Sequence, residues 1–218
     1  NNIHTLGMMY SRDVSIYHNT FENPWEERYG IFLWSINGTP PVADVYIRHN
    51  VIVGYTSFTS HVGVTGKGIV IAGARSVVIE GNTVRDCTDA IWLTEKYQNR
   101  KGEWCVGDII DVRISNNKIE NCNNGIKIPA GVDGLIITGN RFEGNGKGIW
   151  IHGSSYHVIA NNTIVNNYKG IQLDENSSYN LIYNNYFDNI INAVDHYSNN
   201  RWNVTLREGV NILGGPFI

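Results

Sequence analysis

Asp174, Asp195, His152 and a set of aromatic residues beginning with Phe32 and Trp34 have side chains suited to work on a sugar. Glycosidic bonds are cleaved by carboxylates in pairs, one protonating the leaving oxygen while the other activates water or attacks carbon. Binding alone asks for less: flat rings cover the apolar sugar faces, and amides, carboxylates and amines bond the hydroxyls. These residues recur at fixed places in one short motif, GIFLW, GIVIA, AIWLT, GIKIP, GIWIH, GIQLD and AVDHY. Its Ile and Leu alternate with residues that face the other way. One outward column reads Phe32, Val70, Trp92, Lys127, Trp150, Gln172, Asp195; the other reads Trp34, Ala72, Thr94, Pro129, His152, Asp174, Tyr197.

The expected carbohydrate-binding set is Phe32, Trp34, Trp92, Lys127, Trp150, His152, Gln172 and Asp174. The competing expectation is that loops or a neighbouring domain cover the aromatics. Asp174 and Asp195 fall on adjacent turns, and two residues along plus one turn across give a Cα diagonal of roughly 8 Å, suited to inversion. His152 lies beside Asp174 and would tune its pKa. Against catalysis, His196 takes a normally apolar place next to Asp195, and both acids lie far from the inserted loops. Binding therefore ranks ahead of catalysis.

A repeat positions these columns. A second motif, an apolar alternation ending in Asn (VSIYHNTF, VVIEGNTV, LIITGNRF and others), alternates with the first along the chain. Its asparagines are Asn19, Asn50, Asn82, Asn117, Asn140, Asn162 and Asn185, with gaps of 31, 32, 35, 23, 22 and 23 residues. A unit of 22–23 residues explains the C-terminal half; the wider N-terminal gaps are that unit plus loops. Each unit reads as two short strands of period two without a helical stripe. It has no room for a crossover helix, so each strand pairs with its counterpart one turn on, about 4.8 Å away. The expected fold is all-β, a right-handed parallel β-helix of roughly eight turns and a rod near 40 Å long. The LxxLxL spacing of a leucine-rich repeat is absent.

The loops are 23–29, 35–43, 55–66 and 96–107, all in the N-terminal half, where they would wall a groove with Trp25, Tyr97 and Trp104 on its rim. The seven asparagines are expected to form an internal ladder without catalytic meaning. Five residues further on, Cys87, Cys122, Asn145 and Asn167 share a second column. Cys87 and Cys122, one turn apart, are within disulfide reach; the alternatives are pairing with Cys105 or three free buried thiols. His18 and His49 also share a site on neighbouring turns, where two imidazoles make only half a metal site. Stacked histidines without metal are the expectation, and no cofactor is expected.

The 218 residues carry only 17% charged side chains and a formal charge of −3, beside 29 Asn and 23 Gly. That asparagine excess disfavours helix interiors, and the lack of basic excess excludes a nucleic-acid binder. No apolar run is long enough to span a membrane. Starting at Asn1, the sequence reads as a mature product or an excised piece. Sequons at Asn37, Asn161, Asn176 and Asn203, low charge and richness in Tyr and Trp point to an extracellular or cell-surface glycoprotein.

The xVxIxxNxF…GIxL pattern, which spans almost the whole chain, resembles the parallel β-helix repeats of the NosD-like group, which includes the domain of carbohydrate-binding proteins and sugar hydrolases. The tail at 199–218, NNRWNVTLREGVNILGGPFI, is similar to the segment that closes such repeats in secreted proteins. The resemblance implies a single β-helix domain over 1–218, one module of a larger surface protein, whose open ends would be capped by flanking domains or subunits. It carries fold more than function. No DPHD-type epimerase motif and no Asp/Glu cluster with Arg of the pectate-lyase kind is present. The leading expectation is polysaccharide binding or docking on the aromatic face. A structural module of a surface assembly follows, then a glycoside hydrolase or polysaccharide lyase, then copper handling.

Overall fold

The computed structural model describes residues 2–23, 29–35, 39–56, 66–98, 104–195, 199–203 and 212–213. These wind as a right-handed parallel β-helix whose three faces are parallel sheets of eight, nine and eight strands. The handedness is the one that twisted parallel strands impose on their connections. Each turn contributes three strands rather than two, because the ladder asparagine bends the first motif. Ala74–Glu80 ends before Asn82 and Thr83–Arg85 begins after it, each on its own sheet. The third, Gly-led sheet carries Tyr29–Trp34, Lys67–Ala72, Asp89–Leu93, Asn124–Ile128, Lys147–Ile151, Lys169–Leu173 and Ile191–Asp195. Part of the 96–107 insertion folds as an antiparallel hairpin, Lys96–Gln98 against Trp104–Val106.

The bend has a backbone cause. The residue before each ladder asparagine is left-handed: His18, His49, Gly81, Asn116, Gly139, Asn161 and Asn184 all have φ between 53° and 66°. Gly and Asn tolerate that region best, which accounts for their dominance at this position. The next residue turns inward, and its side chain serves the rung before it. The Asn82 N–H and Nδ2 both donate to Oδ1 of Asn117, at 2.9 and 3.0 Å, while Asn117 Nδ2 donates to the Ile79 carbonyl at 2.9 Å. The same bonds join Asn19, Asn50, Asn82, Asn117, Asn140, Asn162 and Asn185 in one line.

The second column obeys the same rule. Asp86, Asn121, Gly144 and Asn166 are left-handed, and Cys87, Cys122, Asn145 and Asn167 follow them inward. The Cys122 N–H donates to Asn145 Oδ1 at 2.9 Å, and the Cys87 N–H donates to Cys122 Sγ at 3.4 Å. The expected disulfide is therefore corrected: both thiols are free, each acting as a rung and donating to a carbonyl two residues back. The side chain of Cys105 lies outside the described residues. Burial, then the Cys122 thiol, raises the Cys87 pKa well above the ordinary thiol value. In a Cys105→Ser variant at pH 8, neither remaining thiol should react with a disulfide reagent until denaturant is added. Two thiols should then titrate without reductant; finding none in denaturant would restore the disulfide.

Inside the coil, Ile and Leu stack from turn to turn. Ile47, Ile79, Ile114, Ile137, Ile159 and Ile182 form one fully buried column, closed by Trp202. The Gly of the Gly-led motif is set by close approach: a Cβ on Gly125 would lie 2.4 Å from the Gly148 carbonyl oxygen of the next turn.

Candidate functional site

The outer side of the Gly-led sheet is not one uniform face. In its N-terminal half, Phe32, Val70 and Ala72 are buried in a second apolar cluster, with Tyr29, Trp34 and Trp92 packed against them. Phe32 stacks on Trp34 at 4.8 Å between centroids and is 5% exposed. Phe32 is thus removed from the expected sugar-binding set, Trp34 is half-buried in the same stack, and Thr94 is buried. Trp25 and Asn37 lie outside the described residues. So do the side chains of Tyr97 and Trp104, although their backbones stand on the hairpin.

Two turns further on the same face is open. Trp150 lies half-buried between Lys127 and Gln172, its neighbours on adjacent strands. Its Nε1–H donates to Asp174 Oδ2 at 2.5 Å. The other Asp174 oxygen accepts from Gln172 Nε2 at 2.6 Å, and Gln172 Oε1 accepts from Lys169 Nζ at 3.0 Å. His152 Nδ1 stands 3.8 Å from Asp174 Oδ2. Lys127 and Lys147 place their ammonium groups over the Trp150 ring, 4.6 and 4.0 Å from its centroid. A hollow of about 220 Å³ opens here, lined by Lys127, Ile128, Pro129, Trp150 and His152. Burial lowers the pKa of both lysines; for Lys147 the neighbouring Lys169 adds to the effect. Beneath the N-terminal edge of this patch a buried Asp89 carboxylate accepts from Lys67 Nζ, and at 2.6 Å from Asn124 Nδ2. Lys67 lies 5.2 Å from the Trp92 ring centroid, and Trp92 Nε1 is buried without a partner among the described residues.

Asp195 is not part of this face. It pairs with Leu173, not Gln172, so the AVDHY copy is shifted by one residue from the expected alignment. It faces inward, fully buried, accepting from Asn200 Nδ2 at 3.1 Å and Trp202 Nε1 at 2.8 Å. The expected Asp174–Asp195 pair is thereby corrected. The sequence did carry a signal: Asn192, not Ala193, falls where Gly170 falls one turn earlier.

A third ladder also escaped the sequence reading. At the turn after the Gly-led sheet, the Leu135 N–H donates to His157 Nδ1 at 3.1 Å, and the His157 N–H donates to Asn180 Oδ1 at 3.0 Å. Asn180 in turn donates to Asn200. The left-handed Gly134, Tyr156 and Tyr179 precede the inward residues, as at the other two turns.

A family model described as "Periplasmic copper-binding protein (NosD)" matches residues 1–218. The chain belongs to the NosD family. Among curated proteins, none matches this NosD-family sequence significantly. Solved structures similar to it include DFA-IIIase from Arthrobacter chlorophenolicus A6. Its C387A mutant in complex with DFA-III has a TM-score of 0.57 at 17% identity, over 87% of this chain and 50% of that one. The same enzyme in complex with GF2 gives 0.55 at 17% identity, over 87% and 52%. Alginate lyase from Paenibacillus sp. str. FPU-7 gives 0.47 at 12% identity, over 97% and 85%. The chain spans about half the length of the DFA-IIIase structures. At 17% identity the likeness to DFA-IIIase is one of fold.

The copper of the family description finds no ligand set among the described residues. No group of three or more His, Cys, Asp or Glu lies close enough to hold a metal ion. His18 and His49 stack at 5.5 Å with planes 14° apart, and lone pairs lying in nearly parallel ring planes do not converge on one ion. Among the described residues, no helix is long and apolar enough to cross a membrane.

Proposed function

We propose that this NosD-family β-helix binds polysaccharide on the open part of the Gly-led face. The observation that carries the reading is the Trp150 site. A half-buried indole beside an open hollow is bordered by an imidazole, an amide, a carboxylate and amines, the mixture a sugar ring needs. Binding is favoured over hydrolysis because Asp195, the carboxylate expected to work with Asp174, lies in the core. The extracytoplasmic setting fits the family's periplasmic description and the exposed sequon residues Asn161 and Asn176. Flanking domains or subunits at the ends of the coil would then set the partner and the context.

Affinity electrophoresis on gels containing a panel of acidic and neutral polysaccharides tests this. Wild type should be retarded on at least one of them, and Trp150→Ala should weaken that binding by about tenfold or more, as removal of an aromatic anchor does. Trp34→Ala, in the covered cluster, should bind as wild type. Free migration of the wild type on every gel, or an unaltered Trp150→Ala, overturns the reading.

A further inference from the structure

We infer that the ligand of the Trp150 face is an acidic polysaccharide, one bearing carboxylates along its chain. The inference rests on the binding reading above and names its chemical class. It comes from how the cations of this chain are paired.

On the rest of the coil, most basic side chains of the described residues are neutralised locally, Lys96 and Arg201 being exceptions. Arg12, Arg48, Arg75, Arg85, Arg113, Lys118 and Arg141 each have a carboxylate within 4.0 Å. The patch breaks this pattern. Lys147 and Lys169 have no carboxylate within that distance among the described residues, and they stand in register on adjacent strands. Like charges directly opposite each other destabilise a sheet, so the fold carries this pair at a cost. Lys127 reaches only Asp89, at 4.0 Å, and that carboxylate is already bound to Lys67 and Asn124. Among the described residues, Asp89 is the carboxylate within 4.0 Å of any of the four lysines Lys67, Lys127, Lys147 and Lys169, and Asp174 is bonded to Trp150 and Gln172, on a chain whose overall charge is −3. Two of the amines are also partly stripped of water, with pKa values lowered first by burial.

A cationic patch that is short of anions and built on an indole ring selects its ligand on two counts. The ring takes an apolar sugar face; the amines take negative charge. A neutral glycan would satisfy the first and leave the lysine pair uncompensated. Strand neighbours lie about 4.8 Å apart, so the two amines recur at short intervals along the coil axis, suiting a chain with repeated charges. Any anion bound here relieves the Lys147–Lys169 repulsion, an interaction gained only in the complex.

The test separates this inference from the reading it rests on. Polygalacturonate and hyaluronate are each compared with their carboxyl-reduced, neutral forms by affinity electrophoresis and calorimetry at 20 and 200 mM salt. The acidic form of at least one should bind about tenfold or more tightly than its reduced form, and binding should weaken with salt as exposed charges are screened. Lys147→Ala/Lys169→Ala should lose most of that preference. Lys118→Ala, on another sheet, should keep it, and Trp150→Ala should weaken whatever binding either form shows. Equal binding of acidic and reduced forms overturns the inference and leaves polysaccharide binding standing. A preference that survives Lys147→Ala/Lys169→Ala overturns it too. Binding of none of the four polymers, together with free migration on the wider panel, overturns both.

Discussion

Asn117→Ala should destabilise the protein by about 4 kcal/mol, through polar groups left unpaired inside the coil rather than through lost apolar contact. Four groups depend on the Asn117 amide: the Asn82 N–H and Nδ2 that its oxygen accepts, and the Ile79 carbonyl and Asn140 Oδ1 to which its nitrogen donates. All lie where water does not reach, and Asn117 itself is 2% exposed. Asn82 Nδ2 keeps the Ile47 carbonyl and Asn140 Oδ1 keeps the Asn117 N–H, so the cost falls mainly on the Asn82 N–H and the Ile79 carbonyl, at about 1–3 kcal/mol for each. Asn19, half-buried on the first rung of the ladder, offers the internal comparison. Its Nδ2 donates to Asn50 Oδ1 and the Tyr17 carbonyl, so Asn19→Ala should cost about 1 kcal/mol. Asn117→Asp separates shape from hydrogen bonding: it keeps the acceptor for Asn82 but sets a second oxygen against the Ile79 carbonyl and Asn140 Oδ1. Its deficit relative to wild type should be large at pH 7 and narrow as the pH falls and the carboxyl gains a proton to donate. Urea midpoints with unchanged slopes measure all three variants. Equal costs for Asn117→Ala and Asn19→Ala would mean that the ladder contributes no more in the middle than at its end.

The solenoid was legible because its constraint is local and repeated. An inward Ile or Leu at every second position, and an Asn after each left-handed residue, write the turn into the sequence once per coil. What the sequence hid depended on contacts between turns. Phe32 and Trp92 occupy the same outward column as Trp150, yet a second apolar cluster forms only where Val70 and Ala72 supply small neighbours beside them. Period-two alternation says which way a residue points and nothing about what covers it. Asp195 was misplaced by one residue because the last copy of the motif replaces its glycine with Asn192, and a single-residue slip exchanges the two faces of a strand. The cysteines followed from column membership, but whether two stacked thiols bond to each other or to the backbone is decided by the amide beneath them. The lysine patch was hardest to see. Lys127 stands in an outward column of the repeat, whereas Lys147 and Lys169 precede the motif glycine and fall outside both columns. Only the pairing of most cations elsewhere on the coil, together with the register of Lys147 opposite Lys169, makes their unpaired state informative.

The ladder at the third turn has a consequence for acid stability. His157 is fully buried, accepts the Leu135 N–H through Nδ1, and therefore carries its proton on Nε2, which has no partner among the described residues. Burial lowers its pKa from 6.5 to about 3. In the unfolded chain the imidazole titrates near its ordinary value, so between those two values the unfolded state holds a proton that the folded state refuses. The contribution of neutral His157 is complete above about pH 6.5 and is lost as the pH falls toward 3, at about 1.4 kcal/mol per unit for this one group. By pH 4.5 the loss should amount to about 2–3 kcal/mol. His157→Asn isolates the effect from that of the carboxylates. Asn180 and Asn200 already occupy this column, so an asparagine there can accept from Leu135 and donate to Asn180 Oδ1, replacing an orphaned N–H with a rung. At pH 7 the gain in hydrogen bonding and the loss of ring packing should nearly offset, leaving a change of about 1 kcal/mol or less. Between pH 6.5 and 4.5 the variant should lose distinctly less stability than wild type, so that the two urea midpoints diverge in the variant's favour on acidification. Parallel pH profiles would show that the His157 imidazole is protonated without penalty in the folded coil.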